Sequence, residues 1–238
     1  MRARARLVAE AVDGRTVLRE LRSMAPLTLV PRRGRGPSAQ VHLVNSASAP
    51  LGGDELVLEV VVGPGADLRL SGVAATLALP GPGGAASTST VRLEIAGALS
   101  YLPEPTVVTA RARHTAELTA QLDAGACLRT REVLVLGRTG EGPGRLTTSQ
   151  RVTAAGEPVL DQTLEIGDHP FFDASAAVLA GRRVLATELA IGGAAGSAEP
   201  AGPASGDWWA ITPLAAGGRL TTVLASDAVT ARELLEGA

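Results

Sequence analysis

The chain has 238 residues and a formal net charge of -2, and its 22 cationic residues are all Arg. That balance leaves no basic excess for nucleic acid. The single Cys excludes an internal disulfide and a cysteine metal cluster, and three scattered His residues exclude the dense zinc motifs. Hydrophobic residues make up 45% of the chain and aromatics 2%. The chain is therefore too apolar for wholesale disorder, yet no run of about 18 apolar residues offers a membrane span.

Met1–Arg6 alternates Arg and Ala with no apolar run behind it, so it does not read as a secretory signal. Leu43–Val44 closes a strand at Asn45-Ser46, and Gly52-Gly53-Asp54 reopens one. Leu56–Val62 is a β-branched run closed by Gly63-Pro64-Gly65, after which Ala66–Leu70 alternates. The unit recurs at Val91–Ile95 with Gly97-Ala98, and at Glu117–Leu122 with Gly125-Ala126. The Gly-Ala pairs lie 32 and 28 residues apart. A loose repeat of this length fits stacked β layers whose apolar faces only neighbouring layers can cover, although any all-β protein reuses strand–Gly–strand turns. Pro80–Thr90 and the low-complexity stretch 192–206 read as loops. The expectation is a single all-β domain over 1–238, with a β-rich body at 1–191 and a tail at 207–238. The tail holds Trp208-Trp209, a strand at Leu220–Leu224, and a helix capped by Ser226 and running to Leu235. A second short helix is expected near Asp173–Ala180.

Several residues invite a chemical reading. Asp54, beside paired glycines, is either a turn cap or a carboxylate aimed at a ligand. Ser46 lacks the Gly-x-Ser-x-Gly elbow of a nucleophile. The Tyr101-Leu102-Pro103-Glu104-Pro105 run locks Glu104 between prolines, as a rigid corner or a docking carboxylate. Glu132 begins the apolar run Val133–Leu136, followed by Gly137-Arg138. A carboxylate on a largely apolar face is costly unless paired or hydrated. It is either paired with Arg138 or Arg111, or it faces a water-filled passage. Asp161, in Val159–Leu164, is placed similarly. Cys127 reads as a small core residue.

Four motifs in order resemble the UreD (UreH) urease accessory family. They are Leu43–Asp54 (LVNSASAPLGGD), Gly65–Leu70 with Ala74-Ala75-Thr76, Tyr101–Pro105 (YLPEP), and Glu132–Arg138 with Gly140-Glu141. The resemblance implies a non-enzymatic scaffold with a distorted β-helix fold (β-solenoid-like, about two short helices). It implies that the chain binds apo-urease with UreF, recruits the GTPase UreG, and assembles further through UreF. It also implies Ni²⁺ in transit through a hydrated internal tunnel, with no tightly bound cofactor, and a cytoplasmic location. Asp54, Glu132 and Asp161 match the family's path-lining acids. Asn45, Ser46, Gly52, Gly53, Tyr101, Glu104, Gly137 and Arg138 match its partner-binding or structural positions. Sparse acids suit passage of a borderline cation better than a cage of His and Cys. The chain departs from the family at Ser48-Ala49, where relatives carry a double Gly, and at Leu77–Gly81, where they carry Lys-Val-Tyr-Arg-Ser. Two other classes stand beside this one. A carbohydrate-binding or protein-interaction solenoid would use Trp208-Trp209 as a stacking platform. An enzyme would pair Asp54 with Glu132.

Overall fold

The computed structural model describes residues 1–34, 36–167, 175–192 and 202–237. Its first half comprises β1 (Arg2–Val12), β2 (Arg15–Arg22), β3 (Leu27–Arg32), β4 (Ala39–Asn45), β5 (Glu55–Val62), β6 (Asp67–Gly72), β7 (Thr76–Ala78), β8 (Ser87–Ile95) and β9 (Ala98–Leu102). Then follow β10 (Thr106–Val108), β11 (Arg113–Leu122), β12 (Cys127–Leu136), β13 (Arg145–Ala154), β14 (Glu157–Ile166), β15 (Val184–Ile191), β16 (Ala204–Ser205), β17 (Trp209–Pro213), β18 (Arg219–Ala225) and the helix α1 (Ala228–Gly237). The strands build a β-solenoid of about four turns. One wall is a seven-stranded sheet in the order β14-β13-β11-β8-β5-β1-β2, and the other is eleven-stranded, running β16-β17-β18-β15-β12-β9-β6-β4-β3 with β7 and β10 to the side.

Three coils show how the sequence makes this shape. β5, β8 and β11 stack in parallel in the first wall. Each then turns a corner into β6, β9 or β12 of the second wall, also parallel. β7 and β10 form a short third side, and β10 pairs with the end of β12. The Gly-Ala turns are the corners, but the repeat is offset by one residue from the Gly-Ala alignment. Asp67, Ala98 and Cys127 are level, so Ala66, Gly97 and Ala126 share a rung, and the rungs are 31 and 29 residues apart. The cause is a close approach at Gly97, where a Cβ would stand 2.2 Å from the Ala66 carbonyl oxygen. Only glycine fits there.

Alternation sets the faces. In β1 the Arg residues point out and Ala3, Ala5, Leu7 and Ala9 are buried. Inward rows run along the walls, such as Leu68–Leu99–Leu128–Ile191 in the eleven-stranded one. Burying each such leucine contributes about 1.5–3 kcal/mol. Most interior apolar residues fall into two clusters, with a small third one of Ala3, Ala49 and Leu56. The larger of the two is centred on Leu68, Leu70, Leu93 and Leu128, and the smaller on Leu134, Leu136, Leu146 and Ile166. In β13, polar residues separate Leu146 of one cluster from Val152 of the other.

The tail extends the second wall, since β18 pairs with β15 and β17 with β18. Helix α1 packs Ala231 and Leu235 on the outer side of that wall, against Val133, Ala186 and Val223. Its cap is Asp227, one residue after the expected Ser226. Asp227 Oδ1 accepts from the N–H of Val229 (3.0 Å) and Thr230 (2.9 Å), as an N-cap carboxylate does. Two loop expectations are corrected: Ser87–Thr90 belongs to β8, and Ala204–Ser205 forms β16 against β17. The expected helix near Asp173–Ala180 shows a bend and turns over 175–180, and its first two residues lie outside those described. Residues 193–201 of the low-complexity stretch also lie outside them.

Candidate functional site

Between the walls, at the level that separates the two apolar clusters, lies a cavity of about 170 Å³. That is room for several waters. β12 contributes Thr130 and Glu132, β9 contributes Tyr101, and the facing wall contributes Gln150, His114 and Val91. Thr76, Thr106 and Glu104 line it on the third side, and Asn45, Leu27 and Pro50 line it on another. The polar residues converge because of register. Tyr101 pairs with Thr130, and Glu132 with Thr187. In the opposite wall Thr148 and Gln150 take inward positions of β13 that leucine and valine hold before and after them.

Glu132 is the centre of this layer. Its Oε1 accepts from the Thr148 hydroxyl at 2.8 Å and its Oε2 from the Gln150 amide at 3.2 Å. Gln150 also reaches Thr187 Oγ1 at 3.4 Å. No cation is among these partners. Arg131 is held by Glu188, Arg138 by Glu141, and Arg111 is exposed, so the pairing expected for Glu132 is not made. Glu132 retains accessible area while being deeply enclosed, and both follow if what it faces is the cavity. Desolvation raises its carboxyl above the ordinary value, and the two donors pull it partly back. Burial, then the charge of Glu132, pushes the Tyr101 phenol up. His114 is lowered to about 4 by burial, against a smaller contribution from the Ser87 backbone; Ser87 Oγ also lies 2.9 Å from Nδ1. His114 is therefore neutral near pH 7.

Two buried oxygens, Thr130 Oγ1 and Asn45 Oδ1, have no partner among the described residues, and both residues line the cavity. Buried polar atoms are normally satisfied, so these two have capacity for water or a guest. Among the described residues, no three His, Cys, Asp or Glu side chains converge as a ligand set. A cation inside would therefore meet Glu132, hydroxyls, amides and the His114 imidazole as scattered donors and not as a converged set, which holds it loosely.

The structure does not bring the three expected acids together. Asp54 is buried at the turn before β5, outside the cavity lining. It accepts from the Met1 ammonium and from Leu51 N–H at 2.8 Å, which hold it below the usual carboxylate range against desolvation. That is the turn-cap alternative. Asp161 stands on the outside of β14 with 70% of its side chain exposed, 3.6 Å from Arg151. With Asp54 and Glu132 apart, the carboxylate-pair enzyme loses its geometry. Gly52 is required by close packing, since a Cβ would meet Ala85 O at 2.2 Å, and Gly53 has φ +94°. Asn45 Nδ2 donates to Ala49 O at 2.5 Å, and exposed Ser46 accepts from Thr28 Oγ1 at 2.9 Å. Gly137 and Arg138 form a ring-like turn. Arg138 Nε donates to Glu141 Oε1 at 2.9 Å, which holds that carboxyl at about 2, and Arg183 donates to Gly137 O at 3.1 Å. Glu104 accepts from Arg232 at 2.7 Å.

Thr130, Thr148 and Gln150 escaped the sequence reading, as did Glu188, which binds Arg129 and Arg131 at 2.8 Å each; His114 reads from sequence only as one of three scattered histidines. The usable signal was Leu146-Thr-Thr148-Ser-Gln150-Arg-Val152, where polar residues hold alternate positions between two apolar ones. The two tryptophans offer no shared platform. The Trp208 face is covered by the Arg182 guanidinium at 3.6 Å, and Trp209 packs against the apolar cluster under α1. No helix among the described residues is long and apolar enough to cross a membrane.

Comparison with known proteins agrees with the motifs. The family model "UreD urease accessory protein" matches residues 1–238. Urease accessory protein UreD 1 of Saccharopolyspora erythraea is 54% identical over 98% of this chain and 92% of its own. The UreD proteins of Parafrankia sp. and Streptomyces coelicolor are 43% and 39% identical, over 99% and 100% of this chain and 87% and 95% of theirs. With whole-length matches to that family and an ordered set of its motifs on a solenoid scaffold, the chain belongs to the UreD family of urease accessory proteins.

Proposed function

We propose that the chain is a non-enzymatic scaffold that joins UreF and UreG on apo-urease and passes Ni²⁺ through the cavity between its walls. Membership of the family gives it a role in urease maturation, and the names of its relatives agree with a non-catalytic one. The observation that carries the finer reading is Glu132, a half-buried carboxylate with neutral hydrogen-bond partners, facing a cavity with room for several waters. A structural acid in that position would have a cation beside it. An acid without one lowers the cost of a divalent ion in a low-dielectric interior, and with no second acid converging on it as a ligand set among the described residues it does not trap the ion. Nickel is the cargo in this reading and Glu132 its contact during passage. Asp161 and Asp54 have no part in it, since one faces solvent and the other is committed to its turn.

The test is complementation of a deletion strain with Glu132→Gln under limiting nickel. UreF and urease should still co-purify with the variant, while the nickel content and activity of urease fall at least about tenfold, the scale of losing a group around a metal. Full nickel and activity in the variant would remove Glu132 from the path.

A further inference from the structure

The corner Pro103-Glu104-Pro105 joins β9 to β10 and runs beside β12. Glu104 lines the cavity, yet 29% of its side-chain surface is exposed. Its carboxylate therefore stands between the interior and the outside. It is fixed in that place. The two prolines restrict the backbone, and Gly72 of the preceding coil lies so close that a Cβ there would stand 2.5 Å from Glu104 N and 2.9 Å from its Cγ. From the far end of the chain, Arg232 of α1 reaches over the corner and donates Nη2 to Glu104 Oε2 at 2.7 Å. The helix that carries Arg232 is seated by Ala231 and Leu235 on the outer side of the second wall. Deeper in the same cavity, Thr130 Oγ1 is buried without a partner, with its residue 3% exposed.

We propose that Glu104 is the carboxylate at the mouth of the cavity and that Arg232 guards it, keeping divalent cations out while α1 is docked. This rests on reading the interior as a cation route. The guanidinium occupies the oxygen that a cation would contact first and repels the cation itself. A partly exposed pair is weak enough to be broken cheaply, so the seating of Ala231 and Leu235, and not the ion pair, sets how readily α1 lifts and the mouth opens. No other acid of the cavity is held by α1 in this way among the described residues, which makes the helix a control on admission and not on Glu132.

The chain's only tyrosine, Tyr101, lines the cavity, and it supplies the probe. In the full-length protein labelled with fluorotyrosine, paramagnetic Ni²⁺ reaching the cavity broadens one fluorine resonance. Titration with Ni²⁺ alone should broaden it in Arg232→Gln at about fivefold lower metal than in the unsubstituted protein, the scale of a partly exposed ion pair. Arg232→Lys should restore the original curve, and Arg232→Gln with Glu104→Gln should abolish the gain. A curve for Arg232→Gln that superimposes on the original, or no broadening in any variant, overturns the assignment. If Arg232→Gln shifts the curve while Glu132→Gln leaves urease activation intact, the mouth stands and the conduit reading falls. If Glu132→Gln impairs activation while Arg232→Gln shifts nothing, the reverse holds.

Discussion

On the outer face of the seven-stranded wall, Glu59 stands among Arg4, Arg6 and Arg92 at 3.8, 3.4 and 3.6 Å. On the outer side of the other wall, Glu188 is gripped by Arg129 and Arg131, each at 2.8 Å. Inside, Glu132 meets a hydroxyl and an amide. The difference teaches where charge is compensated in this solenoid. Glu59 and Glu188 are each matched by guanidinium groups on neighbouring strands, while Glu132 is left with neutral donors. Neighbouring Arg131 faces away from it, because successive residues of a strand point to opposite sides. An enclosed acid so placed costs stability.

The comparison can be broken from several sides. The largest effect is expected in the apolar rows that frame the polar layer. Leu128→Ala, at a fully buried position, should cost about 2–5 kcal/mol in urea denaturation, and a negligible loss would mean the rows are not the framework. Glu188→Gln leaves Arg131, with 10% of its side chain exposed, facing Arg129 with only the exposed Glu236 carboxylate 4.0 Å away. It should cost about 3 kcal/mol. The pH dependence of stability tests His114. Its folded value of about 4 lies below the ordinary 6.5, so the unfolded chain takes the proton first. Stability is complete above pH 6.5 and is lost as pH falls toward 4, by up to about 3 kcal/mol. His114→Gln should flatten that window relative to the original protein, and equal slopes would contradict a buried neutral imidazole. The smallest effect is the most telling. Glu132→Gln, chemically the same change as Glu188→Gln, should stabilise at pH 7 by up to about 2 kcal/mol. The sign follows from its raised carboxyl, whose contribution is complete below 4.5 and lost as pH rises. A loss comparable to that of Glu188→Gln would show that Glu132 is structural after all.

The β layers were legible in the sequence because strand alternation and Gly-Ala corners are local signals. Leu56–Val62 and Val91–Ile95 sit within β5 and β8. The rung offset at Gly97 was not legible, since it depends on a carbonyl in the coil below. Glu132 stood out as an acid before an apolar run. Its choice between a salt bridge and a passage did not, because the direction of Arg131 and Arg138 is set by Glu188 and Glu141 elsewhere in the chain. Asp161 looked equivalent to Glu132 by pattern alone. It differs because β14 is an edge strand of its sheet, with its polar positions turned outward. The partner of Glu104 lies 128 residues away on α1, beyond the reach of any spacing rule.

The central claim is that the interior is a passage, and a plug tests it most directly. Val91 lines the cavity between Leu58 and Leu118 on neighbouring strands. Val91→Phe extends a ring into that space without touching Glu132's donors. Apo-urease assembled with the accessory proteins and this variant should form the full complex and gain activity from Ni²⁺ at least about tenfold more slowly. Activation at the original rate, with the complex intact and the cavity filled, would contradict transit through it.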